Sequence, residues 1–452
     1  MNRIIKAGRL FNMENKEFMG GRMNIYSKRI VFVYSKYERE HWNIELIKQQ
    51  LIQYKCKVYE IGVVEPDLLK KLLHIRPQIV VTFPITILVQ IEIFTIIKKL
   101  LGSIIVTFTT EGLLNFNDRN SIIKLWAGNY DYSPDLVDYH VYWGKLQAQK
   151  IGKELFLQHK LKSSKQIRVF GNPMYEKEKI QSLFPHAKYD SVRQGWKNSI
   201  LILTGFFLSE YTLKDIINAQ DIVNIKGRTK KQILADPVVK ETLEAVDNEK
   251  IYCQKYIDAI LDAAGQNEDT LFVIKLHPIE IQLKRNKKEP EYIKRLKNIK
   301  NIFVIDDSWP IGGVLCHCSL MVHYGSTVDL EAYMYEVPTL KLEYNIPYNG
   351  LLCSTIRLTS STYYENIDDK HIIDKYVKGM KNGTVKFKKN EQTEKQLEMI
   401  MNYKMGCEYN PSAQMAQFLC SNLHKNKLHL SLSEWNKLLK KMVGLYKRKY
   451  IK

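Results

Sequence analysis

The chain has little cysteine. Its seven cysteines, Cys56, Cys253, Cys316, Cys318, Cys353, Cys407 and Cys420, are odd in number among 452 residues, and none stand in a C-x-x-C pair. That pattern excludes a disulfide-stapled scaffold, and no second Cys/His pair follows Cys316-His317-Cys318 at zinc-finger spacing. The thiols therefore read as reduced, which points to the cytosol. Long apolar runs are also missing. Met1 to Asn24 is basic and lacks the apolar core of a signal peptide. The most apolar stretch, Ile79 to Leu101, is interrupted by Pro84, Gln90, Glu92, Lys98 and Lys99. A spanning helix needs about 20 mainly apolar residues, so this stretch reads as a buried strand followed by a core helix. Helix-turn-helix, zinc-finger and RNP-like patterns are absent as well, which speaks against nucleic acid as a partner.

What is present is ordinary globular material with an excess of base. The chain is 45% hydrophobic and 26% charged, enough to bury a sizeable core. Its net charge of +20 draws it toward polyanions: nucleic acid, anionic lipid or phosphorylated substrates. The length suggests two domains plus extensions.

Val/Ile-rich runs alternate with helical patterns from Arg29-Ile-Val-Phe-Val-Tyr34 onward. Strands are expected at Lys57 to Ile61, Gln78 to Phe83, Ser103 to Phe108, Asp138 to Trp143 and Gln166 to Phe170. Helices are expected at Trp42 to Tyr54, Pro66 to Ile75, Ile85 to Leu101 and Lys145 to Gln158. The polar stretch Glu176 to Trp196, with Pro185, reads as a crossing between domains. A second series begins at Ser199 to Thr204, passes through a long polar helical region from Leu213 to Ala264, and continues with strands at Thr270 to Lys275, Asn301 to Ile305, Ser319 to His323 and Pro338 to Leu342. Continuous apolar strands separated by helices predict parallel sheets covered on both faces, so the class is α/β. The expected units are 1–185, 186–375, and a basic helical tail over 376–452. Ligands in such folds sit beyond the carboxyl ends of the strands.

Two motifs stand at strand ends of the second series. Lys275-Leu-His-Pro278 places His277 where proline forces the chain to turn. An imidazole there can donate to a phosphate oxygen and offset charge as a phosphate leaves. His323-Tyr-Gly-Ser-Thr-Val-Asp-Leu-Glu-Ala332 follows a strand and opens a helix. Gly325 suits a tight turn, Ser326 or Thr327 suits the N-cap, and free amides would make an anion site. Glu331, about one turn further in, would accept from a ribose or sugar hydroxyl. Each motif alone is also an ordinary strand end or a capped turn. The pair, about 50 residues apart, is more specific than either.

His-Pro followed by Gly-Ser-Thr-x-x-x-Glu resembles the nucleotide-binding half of GT-B glycosyltransferases, two Rossmann-like domains with parallel sheets facing across a cleft. It is especially similar to bacterial transferases using CMP-activated acidic sugars, the sialyl- and Kdo-transferases. That resemblance implies that His277, Pro278, Ser326 and Thr327 bind the CMP phosphate. Val169-Phe-Gly-Asn-Pro173 resembles a turn of surface-carbohydrate biosynthesis proteins. Thr109-Thr-Glu111-Gly112 follows a first-domain strand, where an inverting transferase needs a carboxylate to deprotonate the acceptor. The similar sialyltransferases often carry two acidic residues before Gly; here the pair is Thr110-Glu111. A solvated loop carboxylate is the alternative for Glu111.

No Asp-x-Asp triplet occurs, which fits a site without metal or other cofactor, the donor being the substrate. Asp306-Asp307 reads as acids at a helix start. Tyr142-Trp143-Gly144-Lys145 is either an acceptor-cleft lining or core. Leu428, Leu432, Trp435, Leu439, Met442 and Tyr446 recur at helical spacing among Lys437, Lys440, Lys441, Lys447, Arg448, Lys449 and Lys452. Such a basic amphipathic helix suits an anionic membrane surface or packs on the first domain.

The expected protein is thus an inverting, metal-independent glycosyltransferase at the inner face of the plasma membrane. It would move a nucleotide-activated sugar, CMP-linked by resemblance, onto a surface polysaccharide or lipid-linked glycan. Lys-x-His-Pro also occurs in CDP-glycerol-type polyol-phosphate transferases, and the fold also serves UDP-GlcNAc 2-epimerases. A non-catalytic carbohydrate-binding scaffold is a further alternative.

Overall fold

The computed structural model describes residues 28–35, 37–65, 67–109, 119–210, 212, 229–285, 289–305, 309–343 and 360–423, with Ser433, Leu438 and Gly444. Two six-stranded sheets organise them, every strand pair being parallel. The first contains β1 (Arg29–Tyr34), β2 (Lys57–Gly62), β3 (Ile79–Thr82), β4 (Ile104–Phe108), β5 (Tyr139–Tyr142) and β6 (Ile167–Val169), in the order β2-β1-β3-β4-β5-β6. Helices α1 (Tyr37–Gln53), α2 (Leu68–Ile75), α3 (Leu88–Leu101) and α4 (Lys145–Leu157) make the crossovers. Strands β3 and β4 are buried along their whole length, as covered parallel strands must be.

The apolar stretch Ile79 to Leu101 resolves into β3 and α3. The helix begins at Leu88 rather than Ile85 because the Gln90 side chain turns back. Its Oε1 accepts from the Thr86 and Ile87 amides at 3.2 and 3.3 Å, capping the start.

The crossing over 177–193 forms two short helices, α5 (Lys177–Leu183) and α6 (His186–Arg193). Phe184 between them packs edge-on against Tyr189 and Trp309, with centroids at 5.3 and 5.6 Å. The apolar core runs without a break from β1, β3 and β4 through Trp143, Tyr175 and Phe184 into the second sheet.

That sheet contains β7 (Asn198–Leu203), β8 (Thr270–Lys275), β9 (Ile302–Ile305), β10 (Leu320–His323), β11 (Thr339–Glu343) and β12 (Tyr363–Asn366), in the order β12-β11-β10-β7-β8-β9. Helices α7 (Pro237–Gln266), α8 (Pro278–Arg285), α9 (Glu291–Lys297), α10 (Ile311–Leu315), α11 (Val328–Met334) and α12 (Ile372–Lys381) accompany it. The expected helical region from Leu213 is described from residue 229, and is broken at Asp236-Pro237, since proline starts a helix but does not continue one. Strand β12 was not expected. Its sequence Tyr-Tyr-Glu-Asn is half polar because it sits on the sheet edge.

The chain then returns to the first domain. Helix α13 (Glu391–Met401) packs on α4, and α14 (Pro411–Ser421) packs on α1. The Gly144 position shows how closely: a Cβ there would lie 2.3 Å from the Ile400 backbone. The Gly171-Asn172-Pro173 turn receives the return. The Asn172 amide donates to the Tyr409 hydroxyl at 2.7 Å, and that hydroxyl donates to the Met401 carbonyl at 3.1 Å. The buried Glu176 carboxylate accepts from the Ser412 hydroxyl at 2.8 Å and from the Ser412 amide. The basic helix expected over 428–446 lies outside the described residues except for Ser433, Leu438 and Gly444, of which Leu438 is buried. No described helix is long and apolar enough to cross a membrane.

Candidate functional site

In the second sheet the chain builds outward from β7 through β8 to β9, then restarts at β10 on the other side of β7. That reversal lies at the carboxyl ends of β7 and β10, and open parallel sheets bind ligands outside such a point. Both motifs border it. His277 stands just beyond β8, and Gly325, Ser326 and Thr327 stand just beyond β10. Between them lies Thr204-Gly205-Phe206, the segment that directly follows β7. Neighbouring strands are about 4.8 Å apart, so the ends of β8 and β10 are separated by roughly 10 Å. Lys275 closes β8, and Pro278 opens α8.

One carboxylate ties this edge together, and sequence reading missed it. Glu280 is fully buried on the first turn of α8. It accepts from the Thr204 hydroxyl at 2.6 Å, the Phe206 amide at 2.8 Å, the His277 amide at 2.7 Å, and the Tyr292 hydroxyl. Burial raises its pKa, and these donors pull it back part of the way. Glu280 thus fixes the backbone of the His-Pro turn to the end of β7.

The second motif has its own buried anchor. The Ser326 amide donates to Nδ1 of His323 at 3.2 Å, so the ring proton sits on Nε2. That nitrogen faces the Ser361 hydroxyl at 3.1 Å and the Asp329 carboxylate at 3.3 Å. Asp329 also accepts from the hydroxyls of Ser360 and Ser361, at 2.5 and 2.7 Å. Burial pushes the Asp329 carboxyl up, but the imidazole and the two serines outweigh it and hold the group below its ordinary value. A Ser-His-Asp set is therefore present, but its hydroxyls point at the carboxylate and its imidazole is closed on both sides. It positions the turn.

This geometry corrects the expectation of free amides at the start of α11. The Ser326 amide is taken by His323, and the Val328 amide by the Ser326 hydroxyl at 3.2 Å. Thr327 holds the N-cap position without a side-chain cap bond. Gly325 does not adopt a positive φ, so conformational freedom is not its purpose. A Cβ there would meet nothing within 4 Å, so the space beside Gly325 is open. Just beyond β7, a Cβ at Gly205 would lie 2.6 Å from the Tyr324 hydroxyl, which donates to the Gly205 carbonyl at 2.7 Å. The Tyr324 ring stacks on Phe206 with centroids 4.8 Å apart, linking the ends of β7 and β10.

Glu331 does not stand on the surface. It is 3% exposed, and burial raises its pKa well above the ordinary carboxyl value despite a bond from the Gly312 amide. Its Oε1 and the Tyr335 hydroxyl converge on the space that the missing Cβ of Gly312 leaves. A contact with a ribose hydroxyl does not follow from that position.

Glu111 and Asp306-Asp307 lie outside the described residues. The strand before Glu111 ends at Phe108, and the carbonyl of the next residue, Thr109, accepts from the Trp143 indole at 2.5 Å. Trp143 is buried, so it belongs to the core and does not line an acceptor cleft. Among the described residues no group of three His, Cys, Asp or Glu side chains is arranged to hold a metal ion. His317 instead faces Arg193, with Nδ1 3.0 Å from the guanidinium.

No protein-family profile matches the chain, and no curated protein sequence matches it. Solved structures do. The wall teichoic acid polymerase TagF is similar at a TM-score of 0.50 with 10% identity, over 88% of this chain and 89% of that one. The UDP-GlcNAc 2-epimerase from Neisseria meningitidis, bound to UDP-GlcNAc, gives 0.49 with 13% identity over 87% and 100%. The epimerase from Methanocaldococcus jannaschii gives 0.48 with 14% identity over 87% and 99%. Together with the two parallel sheets and the helical return, the likeness gives the chain the GT-B architecture.

Two substitutions check this reading of the buried carboxyls. Glu280→Gln turns a side-chain NH2 toward one backbone N–H, which can only donate, where each carboxylate oxygen now accepts from one amide and one hydroxyl, and should cost about 1–3 kcal/mol in urea unfolding. A loss below about 0.5 kcal/mol would show that Glu280 does not hold the turn. For Glu331 the folded pKa lies above the unfolded one, so the folded state binds the extra proton and stability falls as pH rises through that interval. Glu331→Gln should therefore flatten the decline in unfolding free energy as pH rises above the ordinary carboxyl range; an unchanged slope would refute the assignment.

Proposed function

We propose that the chain is a transferase that binds a nucleotide-activated donor on its second domain and transfers a group to a surface glycan presented by the first. The observation that carries this reading is the strand order, in which β8, followed by His277, and β10, followed by Ser326-Thr327, lie on either side of β7. His277 and the Ser326 and Thr327 hydroxyls bind the donor phosphate, and Lys275 adds positive charge behind it. As the bond to the donor breaks, the imidazole donates to the leaving phosphate and lowers the cost of its developing charge. Glu111, which follows β4 in the sequence, takes the acceptor proton as general base. Attack opposite the leaving group inverts the reacting centre.

The donor is read first as a CMP-activated sugar, by the His-Pro and Gly-Ser-Thr resemblance. A CDP-polyol is the second reading, favoured by Lys275-x-His277-Pro278 and by the likeness to the teichoic acid polymerase. The two share their leaving group. A CMP-sugar reacts at the anomeric carbon and a CDP-polyol at the distal phosphorus, and each releases CMP. One phosphate-binding crevice without a metal therefore serves either chemistry.

Two measurements test the proposal. CMP or CDP should raise the melting temperature more than UDP or GDP, with about 2.7 kcal/mol of stabilisation at a hundred times the Kd. His277→Ala should cut transfer by roughly 100- to 1,000-fold. If no nucleotide protects the protein, the transferase reading fails. Labelled CMP-sugars against CDP-glycerol separate the two donors, and conversion of UDP-GlcNAc without acceptor would reveal an epimerase instead. The basic segment Lys437–Lys452 is proposed to seat the enzyme on anionic membrane at the cytoplasmic side, each basic residue contributing about 1 kcal/mol. Binding to phosphatidylglycerol vesicles should fall steeply when the last six residues are removed; equal binding by the shortened chain would overturn it.

A further inference from the structure

Two cysteines distant in sequence meet where the returning helix docks. Cys56 sits in the turn between α1 and β2, and Cys420 lies in the last turn of α14. Their sulfurs are 3.6 Å apart across a sequence separation of 364 residues. Cys56 is buried and Cys420 is partly exposed at the rim of the same contact. A disulfide requires an S–S distance of about 2.05 Å, so the pair must close by about 1.6 Å. Closing that gap calls for rotation about χ1 or a slide of α14 on α1.

We propose that Cys56 and Cys420 form a reversible disulfide that fastens the C-terminal return to the first domain. The oxidant is a low-molecular-weight disulfide. The Cys420 thiolate, the more accessible of the two, attacks one of its sulfurs, forms a mixed disulfide and expels a thiolate. The Cys56 thiolate then displaces the second small thiolate and completes the internal bond. Two protein S–H bonds and one small disulfide are consumed. One protein S–S bond and two small thiols form, and the two protons pass to the solvent or to those thiols.

The bond would close a loop containing the entire second sheet. The chain leaves the first domain at 177–193 and comes back through α13 and α14. At present the return is held by packing on α1 and α4 and by the hydrogen bonds of Tyr409 and Ser412. A covalent bond at Cys420 prevents α14 from leaving α1 and limits how far the two domains separate. Burial pushes the Cys420 thiol up to about 12, with the Cys56 hydrogen bond adding to it. Closure is therefore slow near neutral pH and accelerates as pH rises.

The test uses the full-length protein, oxidised with glutathione disulfide at pH 8.5, alkylated after acid quenching and mapped by peptide mass. Free thiols should fall from seven to five. One linked peptide pair should carry Cys56 and Cys420, the melting temperature should rise, and dithiothreitol should reverse both changes. Cys420→Ser should keep its remaining thiols, while Cys407→Ser, altered at an exposed cysteine outside the pair, should close as the unaltered chain does. A product that stops at a glutathione adduct overturns the proposal, as does linkage spread over other cysteines. If Cys420→Ser fails to fold, the peptide map of the unaltered protein still decides. The outcome is independent of which donor the crevice binds.

Discussion

The carboxylate of Glu280 is the constraint on which the carboxyl edge of the second sheet depends. A carboxylate removed from water is costly unless its lone pairs are filled. Here they are filled by four donors from three different parts of the chain: the end of β7, the His-Pro turn and Tyr292 on α9. Each donor is itself buried or half-buried, so none has water as a ready replacement. The bonds therefore specify a geometry as well as adding stability. Moving the His277 backbone strands part of the carboxylate, and moving the β7 end strands the rest. A histidine at a strand terminus would otherwise ride on a mobile turn.

The same device recurs on the other side of β7 with different chemistry. His323 and Asp329, both nearly fully buried, close the turn that carries Gly325, Ser326 and Thr327. Tyr324 then links that turn to Gly205 and Phe206, which Glu280 already holds. The chain of contacts runs from Tyr292 through Glu280, Phe206 and Tyr324 to the β10 turn. His277 and the Ser326-Thr327 pair are thus carried by two separately anchored turns that share one strand end. In the proposed function such preorganisation matters, because donors already oriented toward a phosphate need not reorganise as charge develops.

Much of the fold was legible because parallel strands buried on both faces must be almost continuously apolar. Runs such as Ile-Val-Val-Thr at 79–82 and Leu-Phe-Val-Ile at 271–274 admit few other readings. Strand β12 was not legible, since an edge strand is half solvated and Tyr-Tyr-Glu-Asn carries no such signature. The two motifs were found from proline and glycine, which announce turns. Their supports were not. Glu280 follows His-Pro at a spacing that looks like an acid on the exposed first turn of a helix, and nothing local shows that β7 and Tyr292 cover it. The signal that was available is subtle: Thr204, the last residue of the expected β7, supplies a hydroxyl at a strand terminus.

Asp329 and Glu331 show the same limit from the opposite direction. Two residues apart on a short helix, they face different surroundings, and sequence spacing alone assigned the ligand-facing role to Glu331. The structure gives Asp329 an imidazole and two hydroxyls, while Glu331 receives one amide and a space beside Gly312. The first carboxyl is held ionised by its partners; the second is driven toward the neutral acid by burial. Charge state, and with it any role toward a phosphate donor, is set by partners that lie on other strands and helices. It follows that the chemistry of this edge is a property of the assembled sheet, and a motif specifies only where to look for it.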